Sequence, residues 1–262
     1  MVFLRSLLFN VAFYLVTILM LVFLAPGYLL LPERQATNLV RLWGWIGVFL
    51  LRVIAGTRRE IRGLDNLPKG GALIAAKHQS MFETFALLPL LPYPTFVMKW
   101  ELRWIPLFGW YTMTTGMIPL ARGKGAAALR DLAARSRQAL AKRRQILIFP
   151  EGTRRPAGAE PVYRTGIALL YKELGVPITP VALNSGLYWP RRKFLRYPGT
   201  IVIEFLPPIP PGLKPKEFMA RLESTVESAS DRLLVEAAAA SPRPPLPPEA
   251  EARLARLRPG KP

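Results

Sequence analysis

The chain holds a single histidine, His78, and no cysteine. A zinc site normally takes several His or Cys ligands, and a thiol nucleophile requires a cysteine. A zinc enzyme is therefore not expected. A histidine can instead move a proton, and the stretch Lys77-His78-Gln79-Ser80-Met81-Phe82-Glu83 places a carboxylate five residues downstream of it. Five residues are about 140° apart around a helix, so the two side chains share no helical face. If His78 lies in the turn before a helix and Glu83 in its first turn, the chain can fold back to pair them. A carboxylate on one ring nitrogen fixes the tautomer and stabilises the imidazolium. The other nitrogen can then act as general base on a hydroxyl, worth about 10²–10⁴-fold. By residue type alone a lone histidine reads as a structural hydrogen-bonder, so the case for catalysis rests on the motifs around it.

Those motifs are basic. In Ile148-Phe149-Pro150-Glu151-Gly152-Thr153-Arg154-Arg155, an apolar run gives way to a polar turn. Gly152 permits unusual backbone angles, Thr153 brings a hydroxyl, and the fork of Arg154 suits phosphate. Glu151 can accept from substrate hydroxyls or from Arg154 itself. Gly116 to Arg122 ends in a second basic residue, and Lys99 follows a third apolar run. Each of these cations alone reads as a solvated surface charge. Together, at strand ends, they suit a phosphate monoester.

Short apolar runs at 72–76, 95–98, 117–120, 145–149, 178–183 and 200–206 read as strands. Segments 81–91, 125–144, 164–174 and 215–240 read as helices, the third stopped by Gly175 and Pro177. Alternating strands and helices imply an α/β fold, a central and mostly buried sheet flanked by helices. Ligands of such sheets bind beyond the strand ends, which is where the motifs fall.

Ahead of this domain, residues 6–32 carry no charge. That is longer than the apolar core of a cleaved signal peptide and long enough for a bilayer span of about 20 residues. A second uncharged stretch, Leu42 to Leu51, lies between Arg41 and Arg52 and contains Trp43 and Trp45. It is too short for an ordinary span and reads as an interfacial helix. Arg52, Arg58, Arg59 and Arg62 follow, which by the positive-inside rule predicts attachment to a cell inner membrane with the main domain in the cytoplasm. The expected division is membrane-associated helices over 1–56, an α/β domain over 57–240, and a disordered tail over 241–262, where seven prolines in 22 residues oppose regular structure. The net charge of +19 implies an anionic partner. The aromatics concentrate in apolar stretches and not in an exposed basic stripe, so membrane lipid is expected and nucleic acid is not.

In order along the chain, His78 to Glu83, Gly116 to Arg122, Phe149 to Arg154 and Val176-Pro177-Ile178-Thr179-Pro180-Val181 resemble the four blocks of the glycerolipid acyltransferase family, and most of all its 1-acylglycerol-3-phosphate branch. The segment Lys99 to Gly109 is similar to the family's stretch between the first two blocks, and the resemblance covers residues 58–210. It implies direct transfer of an acyl group from acyl-CoA or acyl carrier protein to the free hydroxyl of lysophosphatidic acid, with no metal and no bound cofactor. The implied roles are His78 and Glu83 as the catalytic pair, Arg122 and Arg154 on the acceptor phosphate with Lys99 as a weaker candidate, and Glu151, Gly152 and Thr153 lining the acceptor site. Position 83 departs from the family, which usually has aspartate there; glutamate keeps the charge on a side chain one methylene longer. The competing expectations are another acceptor, either glycerol 3-phosphate or a lyso-aminolipid, and a non-catalytic protein that binds anionic membranes.

Overall fold

The computed structural model describes residues 1–121 and 125–257. Three helices open the chain: α1 (Val2–Phe23), α2 (Ala25–Leu30) and α3 (Glu33–Leu50). The α/β part then runs β1 (Thr57–Arg62), β2 (Ala72–Ala76), α4 (Phe82–Ala86), β3 (Pro94–Lys99), α5 (Phe108–Thr114) and β4 (Ile118–Leu120). It continues with α6 (Gly125–Ala141), β5 (Gln145–Ile148), α7 (Gly166–Leu174), β6 (Ile178–Leu183), α8 (Ser185–Tyr188) and β7 (Gly199–Phe205). Two helices, α9 (Pro215–Ala239) and α10 (Pro248–Leu257), close it.

The strands form one seven-stranded sheet in the order β1-β7-β6-β2-β5-β3-β4. From β6 through β2, β5 and β3 to β4 every neighbouring pair is parallel, so five strands end on one edge. Strand β7 runs antiparallel to β6, and β1 runs parallel to β7. The central strands β2, β5 and β6 are buried along their whole length, which explains their unbroken apolar sequences: a parallel strand covered on both faces has no solvent side to mark with polar residues. Successive residues alternate between two cores. Leu73, Ile146 and Ile148 face α6, α7 and the first half of α9. Ile74, Leu147 and Val181 face α4, α8 and the N-terminal helices.

Those N-terminal helices share the second core. Phe9 and Phe13 of α1 are fully buried or nearly so, and their rings meet Trp189, with Phe13 also against Phe85. Asn10 accepts from Arg196, and the Ser6 hydroxyl accepts the Arg196 backbone N–H. At the start of α3, Glu33 pairs with Arg144, a fully buried arginine that also donates to the carbonyls of Pro94 and Thr115 at 2.7 and 2.8 Å. The outward faces stay apolar: Phe3, Leu4, Leu8, Leu15 and Ile18 on α1, with Trp45 and Phe49 on α3, are exposed. An apolar face of that extent on a folded chain marks a contact surface for lipid or protein.

Two expectations are corrected. The second apolar stretch is not a ten-residue interfacial helix. It is the end of α3, which begins at Glu33 and continues as a π-helical turn to Ala55, so both α1 and the segment Glu33–Ala55 are long and apolar enough to cross a membrane. The tail is not disordered over 248–257. There α10 places Ala250 and Leu254, one turn apart, in the core, and Arg253 grips Asp231 of α9 at 2.6 Å.

Close packing of α3 depends on glycine. A Cβ at Gly44 would lie 2.4 Å from the Phe85 carbonyl oxygen, a backbone atom that cannot swing aside. Gly44→Ala should gain up to about 1 kcal/mol of helix propensity but lose about 1–3 kcal/mol to overpacking. The expected net result is a lower unfolding midpoint in detergent; an unchanged or higher midpoint would mean that α3 is not held this closely.

Candidate active site

The site begins where β2 and β5, neighbours at the centre of the sheet, release their chains at the common edge. After β2 the backbone N–H of Lys77 still bonds to the Val181 carbonyl at 2.9 Å, so the chain leaves the sheet at His78. The His78 ring, 9% exposed, stacks on Phe149 at the end of β5, with centroids 3.9 Å apart and planes 11° from parallel. Its backbone is held at both ends by the β5 loop. The His78 N–H donates to a Glu151 carboxylate oxygen at 2.9 Å, and the His78 carbonyl accepts the Arg155 N–H at 2.8 Å. The imidazole is thus locked to the Pro150–Arg155 turn before any substrate arrives.

Glu83 sits in the first turn of α4, fully buried. One carboxylate oxygen accepts the N–H groups of Gln79 and Ser80 at 2.8 and 3.0 Å and the Ser185 hydroxyl at 2.7 Å. Glu83 thus closes a tight turn on the backbone of Gln79 and Ser80, directly after His78. Burial raises the Glu83 carboxyl to about 7; the donors from Ser185, Gln79 and Ser80 work in the opposite direction by favouring the charged form. Ser185 comes from the end of β6, on the far side of β2. The neighbouring Gly186 N–H donates to the Gln79 side chain at 3.0 Å and locks the two turns together.

On the other side, Gly152 turns the loop with φ +67°, and its N–H bonds to the Phe149 carbonyl at 2.9 Å. That backbone angle is one a glycine adopts freely. Arg154, half-buried beyond it, is close enough to Glu83 for the carboxylate charge to act on it. Burial, and secondarily the neighbouring Arg191, hold its guanidinium below the ordinary arginine value. Thr153 is half-buried beside it.

Glu151 points the other way. It is 1% exposed and pairs with Lys77 at 3.1 Å, while Lys77 also pairs with Glu227 of α9 at 2.6 Å. Burial raises the Glu151 carboxyl, and the Lys77 charge opposes that shift. Tyr163 completes the group by donating to Glu227 at 2.9 Å. Lys99 ends β3 at the same sheet edge, one strand beyond β5, with its side chain exposed. Arg122 lies outside the described residues.

Sequence reasoning singled out His78, Glu83 and Arg154; the structure ties the His78 backbone to the loop that carries Arg154 and puts Glu83 within electrostatic reach of Arg154. It missed Ser185, Arg191, Lys77 and Glu227. The available signal for Ser185 was its place directly after an apolar strand, the same place that His78 holds after β2.

A sequence profile described as Acyltransferase matches residues 58–184, from β1 to the start of α8. A 1-acyl-sn-glycerol-3-phosphate acyltransferase of Pseudomonas aeruginosa is 39% identical over 182 residues, covering 69% of this chain and 70% of that protein. One from Limnanthes alba is 31% identical over 184 residues, covering 69% of this chain and 65% of the relative. The crystal structure of the 1-acyl-sn-glycerophosphate (LPA) acyltransferase PlsC from Thermotoga maritima shares the fold with a TM-score of 0.74 at 22% identity, over 89% of this chain and 99% of that one. The chain belongs to the acyltransferase family.

Proposed function

We propose that this protein transfers an acyl chain from an acyl thioester to the free hydroxyl of 1-acylglycerol 3-phosphate, giving phosphatidic acid. The observation that carries this reading is the joining of His78 to the Arg154 loop, through Arg155 N–H to the His78 carbonyl and the His78 ring on Phe149, at an edge flanked by apolar α1. A base and a phosphate-sized cation are fixed relative to each other beside a surface suited to lipid. The names of the relatives supply the acceptor.

In this mechanism His78 takes the proton of the acceptor hydroxyl as its oxygen attacks the thioester carbonyl. The tetrahedral intermediate collapses with loss of the thiolate, which regains the proton from the imidazolium. Glu83 holds the turn that aims His78 and supplies the negative charge that stabilises the imidazolium. Arg154 binds the acceptor phosphate, with Gly152 and Thr153 lining the approach, Lys99 as a further cation at the same edge, and Arg122 as a further phosphate ligand. Glu151 positions the His78 backbone and does not touch the acceptor. The donor is acyl-CoA or acyl carrier protein; the basic surface suits either phosphate-bearing or acidic donors. The exposed faces of α1 and α3 seat the protein in an inner membrane with the catalytic edge toward the cytoplasm, so the acceptor's own acyl chain stays in the bilayer.

The test is transfer from labelled acyl-CoA and acyl carrier protein to lysophosphatidic acid, glycerol 3-phosphate and lyso-aminolipids, using detergent-solubilised protein. Lysophosphatidic acid should be the best acceptor. Arg154→Ala should lower its kcat/KM about ten- to a hundred-fold, the worth of one charged hydrogen-bonding group. An unchanged KM and kcat for the acceptor would remove Arg154 from the phosphate site.

A pH prediction follows from the buried Glu83. Transfer should fall as pH drops through about 7 and Glu83 takes up a proton. Ser185→Ala removes a donor that favours the carboxylate, so the acid limb should move to higher pH. A limb that stays put or moves to lower pH in Ser185→Ala would detach it from Glu83.

A further inference from the structure

Arg191 lies just beyond α8, in the loop that leads to β7. Its Nη1 donates to the backbone carbonyl of Arg154 at 2.7 Å, so the chain after β6 is tied directly to the loop after β5. Both arginines are half-buried. Among the described residues no carboxylate forms an ion pair with Arg154, Arg155 or Arg191, and the Nε atoms of Arg154 and Arg155 are buried without a hydrogen-bond partner. The carboxylate nearest in influence, Glu83, is already enclosed by Gln79, Ser80 and Ser185. Like charges held together in partial burial oppose each other, and Arg191 does act on Arg154 in this way. The fold therefore gathers cations here, and the one carboxylate shown to act on Arg154, Glu83, has its hydrogen bonds committed elsewhere.

The position of this cluster narrows the anion. Tyr14, on the exposed side of α1, lies within electrostatic reach of Arg154, so the cluster sits near the apolar helix. A phosphate monoester carries about −1.5 to −2 charges at neutral pH. It can accept from two guanidinium forks at once, while an attached acyl chain lies along α1.

We propose that Arg191 is a second ligand of the acceptor phosphate, forming with Arg154 a paired-guanidinium seat that selects phosphomonoester acceptors over phosphate-free ones. This rests on the acyltransferase reading above. The experiment compares wild type, Arg191→Gln and Arg191→Lys with lysophosphatidic acid and with phosphate-free 1-acylglycerol as acceptors. It adds inhibition by a lysophosphatidic acid analogue whose reacting hydroxyl is replaced by hydrogen, which needs no turnover.

In Arg191→Gln the KM for lysophosphatidic acid and the Ki of the analogue should rise about ten- to a hundred-fold, with the thioester KM unchanged. The preference for the phosphate-bearing acceptor should fall by a similar factor. Arg191→Lys should recover part of it, since a lysine keeps the charge without the fork. If Arg191→Gln slows both acceptors equally and leaves the analogue's Ki at the wild-type value, Arg191 only braces the Arg154 carbonyl and this proposal is wrong. If wild type itself shows no preference for phosphate, the proposal falls together with the acceptor assignment. A selective wild type with unchanged selectivity in Arg191→Gln overturns the Arg191 role alone.

Discussion

His78→Ala is expected to abolish acyl transfer, lowering kcat by about 10²–10⁴-fold while leaving acceptor and donor binding near wild type. The split between kcat and KM follows from where the side chain sits. The backbone of residue 78, not its ring, carries the bonds that shape the loop: its N–H goes to Glu151 and its carbonyl receives Arg155. Alanine keeps both. The ring contributes its stack on Phe149 and, in the proposed mechanism, its proton chemistry, of which only the second acts on the reacting hydroxyl. Loss of the stack is worth about 0.5–1.5 kcal/mol beyond area, too little to unfold a domain of this size. The measurement is single-turnover transfer beside an unfolding curve for the same protein. Equal rates in both proteins would exclude His78 as the base. A matching loss of rate and of folded protein would show that the ring is structural.

How far such a site can be read from sequence depends on which strand carries each part. His78, Glu83 and Arg154 were legible because each lies within a short motif beside an apolar strand. Ser185 and Arg191 were not, because they belong to the chain after β6, about a hundred residues from His78. Only the strand order β6-β2-β5 brings that segment to the same edge. The buried strands were readable for a related reason: full burial leaves a continuous apolar run. Strand β1, Thr57-Arg58-Arg59-Glu60-Ile61-Arg62, is an edge strand with four charged residues and only one apolar side chain. Its arginines read as a topology signal, which hid the strand; in the structure Arg59 reaches the Ala86 carbonyl and Arg62 pairs with Glu60 and Glu236. Helix α10 was hidden by the prolines around it. Its docking buries only two residues one turn apart, Ala250 and Leu254, a pattern too sparse to stand out from a polar tail.

Lys77→Met should be the most destabilising substitution near the site, costing about 3–5 kcal/mol, because it leaves buried carboxylates without their cation. Lys77 and Glu151 have side chains 3% and 0% exposed, and Glu227 only 14%. Methionine matches the length of the lysine stem, so the loss is electrostatic and not a cavity. That origin gives the variant a pH signature. Burial already raises the Glu151 carboxyl above its ordinary value, and removing Lys77 removes the charge that opposes the rise. A carboxyl whose folded pKa exceeds its unfolded one loses stability as pH climbs from the unfolded toward the folded value. The gap between wild type and Lys77→Met should therefore narrow in mild acid and widen above neutrality. Glu151→Gln on its own should be milder, since Lys77 keeps Glu227, and added to Lys77→Met it should restore part of the loss. A cycle of the two should show strong coupling, whereas additive effects would mean the charges act independently. Because Glu151 also holds the His78 N–H at 2.9 Å, the surviving folded fraction of Lys77→Met should show a reduced kcat with a near-normal acceptor KM.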